Sequence, residues 1–154
     1  MISQAPGWRA QASGIPFDDD LSGRALRDWL GVTDAEFYDD ARFAILPMDF
    51  YYPGRGTSGD RPPRRGIAAT WHPRILQQLT DVRLTLLVGG YAQRHYLGGR
   101  LSLTDTVRAY RDHLPAVLPL VHPSPLTFGW RARNPWFEAE VLPALKGAVR
   151  AALA

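Results

Sequence analysis

The sequence predicts an α/β domain, a parallel sheet with helices packed on both faces. Three observations carry this. Short apolar runs at 43–46, 82–88 and 116–121 suit buried strands and are too short for core helices. Segments with helical spacing lie between them, so successive strands are joined by crossovers, which implies parallel pairing with right-handed connections. With 154 residues, 45% of them apolar, and no internal repeat, the chain fits one compact domain over 1–154.

The elements follow in order. Leu21, Ala25, Leu26, Trp29 and Leu30 recur at helical spacing and stop at Gly31, so 22–30 is expected to be a helix. Thr33 with Glu36 three residues on is a capping box for a second, short helix. The run 43–46 is a buried strand ended by Pro47. The segment 49–65 holds Tyr51, Tyr52, Pro53, Gly54, Gly56, Gly59, Pro62 and Pro63, too long and aromatic for a plain connector, and is a candidate binding loop. Helix is then expected at 71–79, strand at 82–88, helix at 91–97 after Gly89 and Gly90, helix at 107–113, and the last strand at 116–121. Asn134 is expected to cap a closing helix with Pro135 at its first position, running to about Leu153 and kinked at Pro143.

Net charge is only +3, but Lys146 is the sole lysine. Arginines cluster at Arg55, Arg61, Arg64 and Arg65 and again at Arg131 and Arg133, and their planar forks suit phosphate. A GC-rich coding sequence would favour arginine too. No cysteine is present, which excludes disulfides, thiolate nucleophiles and cysteine-ligated clusters. His72, His95, His113 and His122 lack the close spacing of a metal-ligand set, so no metal and no other cofactor is expected. No apolar run of about 18 residues could span a membrane, and a soluble, cytoplasmic monomer is expected.

The densest functional signal is at 118–137. A short apolar strand feeds into His122-Pro123-Ser124-Pro125-Leu126, then into Arg131-Ala132-Arg133-Asn134-Pro135. In open parallel sheets ligands bind beyond the carboxyl ends of strands, so a histidine fixed there between prolines is pre-positioned for chemistry. On its own this loop could equally be a stiff turn.

The loop resembles the second signature of the uracil-DNA glycosylase superfamily, a His-Pro-Ser-Pro loop that presses on DNA while its histidine faces a flipped base. Ser3-Gln4-Ala5-Pro6-Gly7 resembles that superfamily's first signature, and Gly14-Ile15-Pro16-Phe17 resembles the downstream Gly-x-Pro-Phe whose phenylalanine stacks on the base. The strands ending at Pro47 and at Val88 fall in the same order. The resemblance covers nearly the whole chain and is closest to a bacterial branch without an iron–sulfur cluster. It implies a three-layer α/β/α sandwich around a four-stranded parallel sheet, its first strand truncated because only Met1, Ile2 and Ser3 precede Gln4. Such relatives carry a full apolar strand there, so a longer native chain is an expectation of the resemblance.

Its functional implication is a DNA partner and hydrolysis of the N-glycosidic bond of a flipped, damaged base such as uracil. Flipping forfeits a few kcal/mol of stacking and pairing, which Phe17 would return with an aromatic face. Ala5, Pro6, Gly7 and Pro47 would complete the base pocket. His122 would stabilise the departing base anion and Gln4, or an amide near Ala5, would orient water. Ser124 and Pro125 would meet the backbone, Leu126 or Phe128 would wedge into the vacated stack, and Arg131 and Arg133 would hold phosphates.

Two departures matter. Superfamily members place Asp or Asn in the first signature where this chain has Ala5, and many place a base-reading Asn where it has Pro47. These favour an alternative, a non-catalytic DNA or damaged-base binding module of the same fold. The nearest carboxylates in sequence are Asp49 and Asp18-Asp19-Asp20, of which Asp20 is a natural helix cap. An unrelated doubly wound phosphate binder would need a richer glycine loop than Gly89-Gly90.

Overall fold

The computed structural model describes residues 1–18 and 20–154. Four parallel strands form one sheet in the order β2-β1-β3-β4: β1 Ile2–Ser3, β2 Leu46–Pro47, β3 Thr85–Val88 and β4 Val117–Leu120. The helices are α1 Trp8–Ser13, α2 Leu21–Leu30, α3 Asp34–Phe37, α4 Ile67–Leu76, α5 Gly90–Leu97, α6 Leu103–Arg108, α7 Phe128–Arg133 and α8 Leu142–Leu153.

Side-chain alternation divides the sheet between two layers. Leu86, Val88, Leu118 and Leu120 pack with Leu26, Trp29 and Leu30 of α2 and with Leu145 and Val149 of α8. Ile2 and Leu87 turn the other way, onto Ala68 of α4 and Ala92 of α5. The result is the expected three-layer sandwich. The first strand is short, as expected. Two residues fill an inner slot, with Ile2 opposite both Leu46 and Leu87.

Several local expectations shift. The run 43–46 yields strand only at Leu46–Pro47, since β1 beside it offers only two residues to pair. Helix α4 begins four residues before the expected Trp71, at Ile67, because Gly66 supplies a left-handed N-cap at φ 83°. Pro73 therefore sits inside the helix and forgoes a bond to the carbonyl four residues back. Helix α6 starts at Leu103, where Ser102 accepts from Asp105 N–H at 3.1 Å, and the expected 107–113 segment continues only as a 3₁₀ turn, Tyr110–Asp112. Helices α1 and α7 were not anticipated. Both are six residues long and mostly exposed, so neither carries an apolar stripe. Asn134 closes α7 rather than opening α8, donating from Nδ2 to Trp130 O at 2.8 Å. The kink expected at Pro143 is a π-helical turn, Phe137–Val141, which absorbs the missing donor.

The long loop is pinned at its base by Asp49, which is fully buried. Arg64 Nε and Nη2 donate to its two oxygens, each at 2.8 Å, and the Arg64 backbone N–H adds a third bond at 3.0 Å. The Arg64 bonds are the main cause holding this carboxyl down at about 2. A carboxyl depressed on folding adds stability above its unfolded pKa near 4, and loses it as pH falls from about 4 to 2, here about 2 kcal/mol. Arg64→Ala should remove that acid dependence and cost about 3 kcal/mol at pH 7, the lower end for an orphaned buried charge because the Arg64 side chain is itself more than half exposed. Urea unfolding of both proteins between pH 2.5 and 7 measures this; parallel curves would contradict it.

Candidate active site

The carboxyl ends of β1, β2 and β4 open onto a cavity of about 210 Å³ lined by Ala5, Pro6, Gly7, Phe17, Pro47, His122 and Ser124. That volume is below the roughly 300 Å³ of a drug-sized site and suits a single heterocycle. A wider cavity of about 460 Å³ lies at the other ends of the strands, among Met1, Phe43 and Leu84, away from these residues.

Each wall has a local cause. Pro47 closes β2, and its carbonyl accepts from His72 Nε2–H at 2.9 Å. His72 is almost wholly buried, and its Nδ1 accepts from Tyr96 O–H at 2.6 Å, so the chain Tyr96–His72–Pro47 fixes the edge of the cavity from below. His122 follows the buried Val121. Its carbonyl accepts from Thr127 Oγ1–H at 3.0 Å, and Ser124 Oγ accepts from Leu126 N–H at 3.1 Å, so the loop is held by its own side chains. Burial lowers the His122 pKa and so favours the neutral ring, an effect opposed by the charges of Asp20 and Asp60.

Phe17 has a backbone that few non-glycine residues adopt, φ 52°. Its carbonyl accepts from Arg27 Nη1–H at 3.0 Å and from Tyr38 O–H at 2.8 Å. The ring stands edge-on to Phe37, 6.2 Å between centroids, and is half buried. Strain held by specific bonds marks sites where orientation matters more than comfort.

Gln4 does not line the cavity; its carbonyl accepts from Asp49 N–H at 3.2 Å. Leu126 and Phe128 are strongly exposed on the loop after His122, beside the exposed Pro125. Arg133 is exposed, whereas Arg131 is spent internally, bonding Glu138 at 3.3 Å and lying over the Trp29 ring.

Sequence reasoning passed over Asp60. It lines the cavity together with Asp20, which caps α2 by accepting from Gly23 N–H at 2.6 Å and faces the pocket at the same time. Asp18 does not line it, and Asp19 lies outside the described residues. Among the described residues no group of histidines and carboxylates could hold a metal ion, and no helix is long and apolar enough to cross a membrane.

The arrangement offers a neutral imidazole, two carboxylates and an aromatic face around a space the size of one ring. A family model described as the Uracil DNA glycosylase superfamily matches residues 1–146.

Proposed function

The chain belongs to the uracil-DNA glycosylase superfamily, and we propose that it excises a flipped deaminated base, uracil or a relative, from DNA by hydrolysing the N-glycosidic bond. The observation that carries this is the meeting of Phe17 and His122 in one cavity, though they are over a hundred residues apart in sequence. Departure of the base leaves a sugar with oxocarbenium character, so the reaction needs stabilisation of the leaving anion and an ordered water.

In this reading the neutral His122 donates an N–H to the base as it gains charge, while Phe17 stacks on its face. Ala5, Pro6, Gly7 and Pro47 give the pocket its shape. Ala5 withholds a carboxylate from the first signature, and Asp20 supplies one from the next helix cap, where it can hold the attacking water. Gln4 contributes through its backbone, which ties β1 to Asp49. Ser124 and Pro125 meet the DNA strand, and Leu126 or Phe128 fills the vacated stack.

Single-turnover incubation with oligonucleotides bearing uracil, hypoxanthine, xanthine or an oxidised pyrimidine, scored for abasic product, tests the reading. Excision of one of them is expected. Tight binding without product from any would favour the non-catalytic module instead.

Of the two arginines assigned to phosphates, only Arg133 is free of internal ion pairs among the described residues. Arg133→Ala should therefore weaken binding of every DNA sequence alike and reduce the salt slope by about one. Arg131→Ala should lower stability and leave the slope in place. Affinity measured at several salt concentrations decides it; equal slopes for wild type and Arg133→Ala would remove Arg133 from the DNA face.

A further inference from the structure

The long loop does more than border the cavity. Residues 54–61 fold into a small hairpin in which Arg55 and Asp60 bridge antiparallel, Gly56 N–H donates to Gly59 O at 2.8 Å and Arg61 N–H to Gly54 O at 2.8 Å. Tyr52 N–H reaches back to Gln11 Oε1 on α1 at 2.9 Å, and the Asp49–Arg64 pair anchors the far end. At the tip, Gly59 has φ 83° and lies against Leu126, so a Cβ there would come 3.3 Å from the Leu126 methyl. The hairpin thus rests on the exposed end of the His122 loop. From that perch Asp60 lines the cavity, with its Oδ1 held by Tyr52 O–H at 3.2 Å.

The sign of its charge decides what Asp60 can do. A carboxylate beside a departing base anion raises the barrier, whereas one beside the sugar carbon lowers it, because that carbon becomes cationic as the bond to the base breaks. Asp60 follows Gly59, which lies against Leu126, and is itself exposed while lining the cavity, so its carboxylate stands at the open side of the pocket, the side that the glycosylase reading gives to the sugar of an extruded nucleotide.

We propose that Asp60, carried on this hairpin, is a second catalytic carboxylate that stabilises the oxocarbenium sugar while Asp20 holds the attacking water. The inference rests on the glycosylase reading above. In the step, the C1′–N bond breaks with both electrons going to the base, which His122 stabilises, and the water oxygen bonds C1′. The water's proton passes through Asp20 to solvent, and none passes through Asp60. Tyr52 keeps its carboxylate in place.

Asp60→Asn preserves shape and the Tyr52 bond while removing the charge. Two readouts separate this role from others. Single-turnover excision should fall about 100-fold for every base that the wild type removes, the loss typical of one preorganised electrostatic group. Independently of turnover, wild type should bind an oligonucleotide carrying a cationic pyrrolidine in place of the sugar more tightly than one carrying neutral tetrahydrofuran. Asp60→Asn should lose about 10-fold of that preference with its tetrahydrofuran affinity unchanged. An unchanged preference, a loss confined to one base, or equal weakening on both analogues would overturn the proposal. If wild type excises nothing, the glycosylase reading fails, and the analogue preference still reports on Asp60. Asp60→Ala, compared by thermal unfolding, shows whether the hairpin depends on this side chain.

Discussion

His122→Ala should lower single-turnover excision by about 100- to 1000-fold, the cost of removing a donor aimed at developing negative charge. The fold should survive, because the ring hangs from a loop held by Ser124 and Thr127, whose bonds run through the backbone and not through the His122 side chain. Burial favours the neutral imidazole, which in this reading works as an N–H donor and not as a cation. The sign follows from the lowered pKa: any acid limb belonging to His122 has its midpoint on the acid side of an ordinary imidazole's. His122→Gln, which keeps an N–H donor without titration, should recover part of the rate and lose that limb. A variant with wild-type rate, or a His122→Gln profile unchanged on the acid side, would strip His122 of the role.

Much of this was legible in the sequence for a physical reason. Short apolar runs, the Thr33–Glu36 capping box, Gly31 as a helix stop and the His122 loop are local signals, and each depends on residues within a few positions of one another. The capping box forms as written, with Thr33 and Glu36 bonding reciprocally at 3.2 and 2.9 Å. What could not be read depends on distant partners. Asp60 is one polar residue in a glycine-rich loop, and its place in the cavity comes from staples to Gln11, Tyr52 and Arg64 that no local pattern announces. Arg131 looked like half of a phosphate clamp, yet Glu138 and Trp29 claim it once α7 folds back. Asp20 was read as a cap and is one; that it also lines the cavity follows from where α2 starts relative to β1.

Gly23→Ala should be among the most damaging single changes in the chain, although it adds only a methyl group inside a helix. A Cβ at Gly23 would collide with Phe17 O and come 2.9 Å from Asp18 O and 3.0 Å from Phe17 C, all backbone atoms that cannot rotate aside. The backbone at 17–18 must move, and the bonds that hold the Phe17 carbonyl to Arg27 and Tyr38 go with it. Arg27 is itself buried and tied to Asp34 at 2.7 Å, so it cannot follow. Overpacking and the lost bonds together cost about 3 kcal/mol, or roughly 10 °C in Tm for a chain of this size. The functional loss should be larger than the stability loss. Even well below its Tm the variant should excise about 100-fold more slowly, because Phe17 keeps its strained backbone only while that carbonyl is gripped, and a relaxed Phe17 no longer presents its ring to the cavity. Gly147→Ala is the internal control. It lies within α8 with nothing within 4 Å of the new methyl, and should raise stability by up to about 1 kcal/mol with activity unchanged. Thermal unfolding and single-turnover excision of both variants decide the matter: a Gly23→Ala protein that melts like wild type, or that loses stability without losing rate, would mean that the αL turn at Phe17 does not depend on this contact.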